Sequence, residues 1–168
     1  MLTKALQKLD SSLPGSKTTK SEIEDLAKNL PAELLPTWLT EMLQKYALSR
    51  VCFSIDEDSD KSGLGAELIW FTAEQIIDEA LRVYPGIAVT KRGYLPIGGC
   101  MIGSGDPYFL KMKDKTQHDA PLVRIYHDLV RDNDEYPESE IETVCDSLSD
   151  FFNLAKIEPS YQFKNTDL

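Results

Sequence analysis

The stretch VCFSIDEDSDKSGLGAELIWF, residues 51–71, decides the fold class. Val51, Phe53 and Ile55 alternate with Cys52 and Ser54, the two-residue period of a half-buried strand. Ala66 to Phe71 forms a second extended run, and only the polar segment Asp56 to Gly65 separates the two. Two strands joined by a loop fit this stretch best.

Working outward, Thr72-Ala73-Glu74-Gln75 has the form of a capping box, and Ile76, Ile77, Ala80, Leu81 and Tyr84 share one helical face that stops at Pro85-Gly86. Upstream, Leu35, Trp38, Leu39, Met42, Leu43 and Tyr46 form an apolar stripe expected to face the core, with Pro31 and Pro36 suited to a first helical turn. Ser21-Glu22-Ile23-Glu24 predicts another helix start, running to about Leu30. Leu2, Leu6 and Leu9 predict a short N-terminal helix, followed by a polar connector from Ser11 to Thr19.

Downstream, Tyr94 to Ile97, Pro107 to Lys113 and Leu122 to His127 are three further strands. Ser139-Glu140-Ile141-Glu142 predicts a closing helix with Ile141, Val144, Cys145, Leu148 and Phe152 on its apolar face. Helices, two strands, a helix, three strands and a helix lack the alternation of a doubly wound fold. The expected architecture is an antiparallel or mixed sheet of about five strands packed with helices. The expected organisation is a helix and linker (1–20), an α+β domain (21–154) and a C-terminal tail (155–168).

Composition narrows the function classes. The 168 residues include 28 acidic and 18 basic side chains, a formal charge of minus 10. That balance repels phosphate backbones and argues against nucleic acid as a partner, while favouring a basic protein. No run approaches the roughly 20 apolar residues of a membrane helix. The first residues lack the apolar stretch of a secretory signal, so a cytoplasmic location is expected. Cys52, Cys100 and Cys145 are odd in number and widely spaced, as reduced thiols would be.

Candidate chemistry is sparse. Gly98 to Gly105 resembles a phosphate loop only superficially, because Asp106-Pro107 and a strand follow where a P-loop has Lys, Ser or Thr and a helix. Gly103, Gly105 and Asp106 are instead expected to shape a turn. His118-Asp119 and His127-Asp128 lack metal-site spacing, and Cys100 has no His partner legible in sequence. Asp56, Glu57, Asp58 and Asp60 cluster like calcium ligands, but the Gly and bidentate Glu of a calcium loop are missing. The cluster is either a solvated connection or an acidic docking edge for a basic partner. No catalytic residue, cofactor or metal is expected.

Leu30-Pro31-Ala32-Glu33 before the Trp38 helix, Leu95-Pro96-Ile97-Gly98 followed by Gly105-Asp106 and a strand, and the closing Ser139 segment together resemble the SUKH superfamily. The resemblance spans about Ser21 to Leu154. It departs where Lys111-Met112-Lys113 follows the strand after Gly-Asp and where Tyr46-Ala47-Leu48 ends the helix. It implies a non-enzymatic α+β domain, typically a bacterial immunity protein that binds and neutralises a toxin, often a nuclease. Partner-binding residues are then expected at Asp56, Glu57, Asp58, Asp60 and Asp106. The alternative is a regulatory scaffold in a signalling or cell-envelope pathway.

Overall fold

A computed structural model describes residues 1–101, 105–112 and 118–159. Its centre is a curled antiparallel sheet of seven strands in the order β6-β5-β4-β3-β2-β1-β7. The 51–71 hairpin supplies β1 (Cys52–Ile55) and β2 (Ala66–Trp70), paired in the register Phe53↔Leu68. β3 (Tyr94–Cys100) pairs on the far side of β2, and β4 (Tyr108–Lys111) and β5 (Leu122–Arg124) continue the meander. The antiparallel α+β expectation holds, with more strands than expected.

Both additional strands lie where the sequence pointed elsewhere. Glu142–Cys145 is β6, paired with β5, and not the start of a helix. Ile141, Thr143 and Val144 are β-branched and half of the segment faces the core, a pattern that suits a pleated edge better than a helix. The Ser139 segment is only a 3-10 turn, Glu138–Glu140. The closing helix α6 (Leu148–Leu154) begins later, with Ser147 accepting from the Asp150 N–H at 3.0 Å. Beyond it, β7 (Lys156–Glu158) opens the expected tail and pairs with β1.

Six α-helices are described. α2 (Lys20–Asn29) is capped by Thr19 and Glu22, two residues earlier than the Ser21 box, because Thr19 has the extended backbone a cap requires. α3 (Thr37–Lys45) buries Leu39, Met42 and Leu43, while Trp38 packs at the core's margin. α4 (Ala73–Arg82) starts at the Thr72–Gln75 box as expected. A short helix α5 (Gly86–Val89) follows the Pro85-Gly86 stop, and its first residue packs so tightly that a Cβ there would lie 1.7 Å from the Glu79 carbonyl oxygen.

α1 (Leu2–Leu9) belongs to the main core: Leu2, Ala5 and Leu6 are buried and the helix packs on α6. The concave face of the sheet carries Phe53, Leu68, Trp70, Leu95, Leu110 and Leu122 into that core. There Trp70 stacks on Phe152 with ring centroids 5.8 Å apart, and Phe53 meets Phe151 edge-on at 5.5 Å. Alternate residues of β3 to β5, namely Tyr94, Phe109 and Val123, point to the other face. Ala88 and Val89 of α5 and Tyr136 cover them in a second, smaller core.

Candidate functional site

Polar side chains gather at one end of β4 and β5. Arg124 sits on the concave face beside Tyr108 and Leu122, where the alternation of β5 would place an apolar residue, and it is buried. Its guanidinium is fully used. Nε and Nη2 donate to one Glu142 oxygen at 3.0 and 2.9 Å, Nη1 to the Gly65 carbonyl at 2.9 Å, and Nη2 to the Ser62 hydroxyl at 3.0 Å. Tyr126 donates to the other Glu142 oxygen at 2.5 Å. A buried charge requires this degree of pairing.

Arg124 thereby determines the state of the acidic loop. Asp60 accepts from the Gly65 and Ser62 amides at 3.1 and 3.2 Å and from the Ser62 hydroxyl, which shapes the turn that Arg124 grips. The Lys61 N–H reaches the Val144 carbonyl at 2.9 Å, tying the loop to β6. Asp56 pairs with Lys156 at 2.7 Å. Of the four clustered carboxylates, only Glu57 and Asp58 stand exposed with no role in holding the loop. The loop is thus an ordered bridge across the curl of the sheet.

Asp106 lies apart from that loop. Its carboxylate is buried and accepts from His127 twice, from the backbone N–H at 3.1 Å and from the ring Nδ1 at 2.8 Å. The ring lies over Gly105, whose φ of +78° is open to glycine and costly for other residues. The hydrogen bond that His127 donates to Asp106 raises the imidazole pKa above its usual value. An imidazole whose Nδ1 is fixed by a buried carboxylate presents Nε2 outward, available to donate, accept or move a proton. Gly103, expected in the same turn, lies outside the described residues.

The other His-Asp doublet is structural. Asp119 accepts from the Leu148 and Ser149 amides at 2.8 and 3.2 Å and so caps α6 from a distant loop. His118 beside it is exposed. Among the described residues no three His, Cys, Asp or Glu side chains are placed to hold a metal. Burial pushes the Cys145 thiol up to about 12, which makes it unreactive at neutral pH. No described helix is long and apolar enough to cross a membrane.

A feature that sequence reading missed is the acidic strap 126–141, which crosses the outer face above the second core. Residues 128–150 hold nine acidic side chains and one basic one, Arg131. Tyr136 anchors the strap, its hydroxyl donating to the Tyr126 carbonyl at 2.8 Å. Arg92 donates to the Tyr136 carbonyl at 2.6 Å and pairs with Glu138 at 3.3 Å, and Lys91 pairs with Asp134 at 3.6 Å. A count of charge along the chain would have found the strap; its position over α5 and β3 to β5 depends on contacts between distant residues. Compared with protein-family models, curated proteins and solved structures, the chain finds no match.

Proposed function

We propose that this chain is a non-enzymatic protein-binding domain, an immunity protein that neutralises a basic bacterial toxin domain. One observation carries the reading: the chain has a net charge of minus 10, and nine acidic side chains against one basic fall within residues 128–150. The Lys61 N–H to Val144 carbonyl bond ties the loop that carries Glu57 and Asp58 to β6, and β6 itself lies within the acidic run 128–150, so the two acidic segments meet at this margin of the sheet. Such a margin complements a protein whose working face is basic, as a nuclease's must be. The resemblance to SUKH immunity proteins supports the same reading.

The test is co-purification of the tagged chain from its native host, followed by stopped-flow association with the captured protein. A stoichiometric basic partner whose toxicity stops on binding is the expected result. Glu57→Gln with Asp58→Asn should slow association several-fold at low salt and have little effect at high salt. Asp56 and Asp60 are left intact because they hold the loop. A captured protein with no toxic activity would favour the regulatory scaffold instead, and absence of any partner would overturn the binding reading.

A second reading rests on the His127–Asp106 pair, which has the geometry of an oriented general base. Hydrolysis of chromogenic phosphoesters or esters by the purified chain, lost in His127→Gln, would establish it. Turnover unchanged by that substitution would dismiss it.

A further inference from the structure

Among the described residues, three of the six exposed large apolar side chains fall within four residues at the junction of α4 and α5. Leu81, Val83 and Tyr84 are 44%, 47% and 43% exposed, whereas the acidic loop offers only Leu64. The junction is built firmly: Gly86 abuts the Glu79 carbonyl, and Tyr84 donates its hydroxyl to Asp134 of the strap. That bond places the ring at the strap's border, beside the exposed carboxylates of Asp132 and Glu135. Of the basic side chains nearby, Arg82 pairs with Asp78, Lys91 with Asp134 and Arg92 with Glu138, while Arg131, bridged to Glu135 through the backbone, is exposed.

We infer that this corner is the docking surface for a basic segment of a partner protein that carries an apolar anchor residue. The inference rests on the protein-binding reading above and names the surface and the chemistry of its occupant. An aromatic residue held by one hydrogen bond and flanked by aliphatic side chains resembles the energetic centre of an interface, while a charged rim sets orientation and partner choice. Here the centre is Tyr84 with Leu81 and Val83, and the rim is acidic. Charge complementarity therefore selects Lys- or Arg-rich segments with an aromatic or aliphatic anchor, and rejects acidic ones.

Panning a random dodecapeptide display library against the immobilised full chain tests this, with selected peptides synthesised and titrated by fluorescence anisotropy at physiological salt. Enriched peptides should be basic with an apolar anchor. Tyr84→Ala and Val83→Ser should each weaken binding about 10-fold, the usual scale of a central interface residue. Asp132→Asn with Glu135→Gln should weaken it in a salt-dependent way, and Leu154→Ser, an exposed apolar residue on α6, should leave it unchanged. Tyr84→Phe, which keeps the ring, separates contact loss from any loosening of the strap, and melting curves check that each variant folds. Peptides insensitive to the corner variants and weakened by Glu57→Gln with Asp58→Asn would overturn the corner and leave the protein-binding reading intact. Failure to enrich any sequence would overturn both.

Discussion

At the scale of single residues, the least comfortable group in the fold is Glu79. Burial raises its carboxyl from 4.5 to about 7, partly offset by the Gly86 N–H, and Oε1 is buried with no hydrogen-bond partner among the described residues. The folded chain therefore holds a proton that the unfolded chain releases above about pH 4.5. Its contribution to stability is fully present below that pH and is lost as pH rises through about 7. His127, whose pKa is also raised, acts in the same direction: its contribution is lost as pH climbs through its folded-state value. Glu79→Gln should raise the melting temperature at pH 8 and leave it nearly unchanged at pH 4, as differential scanning calorimetry across that range would show. An equal effect at both values would mean that the carboxyl titrates alike in the folded and the unfolded chain.

At the scale of elements, the question is what keeps the 56–65 connection across the sheet. Arg124 is the fastener, because one guanidinium bonds β6 through Glu142 and the loop through Gly65 and Ser62. Arg124→Met removes the charge and keeps much of the volume, but it leaves Glu142 without its cation and the loop without its grip. Breaking one side of a buried pair costs about 3–5 kcal/mol. The urea midpoint should fall accordingly, and limited trypsin digestion should cut after Lys61, which the folded wild type protects. Adding Glu142→Gln should recover part of the loss, since the two residues are coupled. An unchanged midpoint with an uncut loop would show that Lys61–Val144 and Asp60 suffice to hold it.

At the scale of the whole molecule, the two ends of the chain are parts of one core. α1 packs on α6, and β7 extends the sheet beside β1, so residues 2–9 and 156–158 contribute to the same apolar layer. Leu6 is 1% exposed inside it. Leu6→Ala should cost about 2–5 kcal/mol, the range for truncating a buried leucine, in a single cooperative urea transition. A detachable leader would instead give an unaltered midpoint or a separate early transition. The same closure leaves the β6 edge partly covered by the loop and the β7 edge short and charged, which limits unwanted strand pairing.

What the sequence by itself determined was local in origin. The hairpin of 51–71, the Thr72 capping box, the α3 stripe and the three meander strands all follow from periods and caps spanning a few residues, where the chain's own geometry is enough. The sequence also implied reduced thiols, and Cys52, Cys100 and Cys145 are all free cysteines. The tertiary structure alone decided that 142–145 is a strand, since a short β-branched segment becomes one only when an edge is offered to it, here by β5. It alone turned Asp60 and Asp119 from candidate ligands into internal caps and set His127 on Asp106. It also separated Glu57 and Asp58, which are exposed, from Asp56, which is paired with Lys156. Each of those outcomes joins residues far apart in the chain or depends on the turn they build, and a carboxylate's role is set by whichever donors the fold brings within hydrogen-bonding distance.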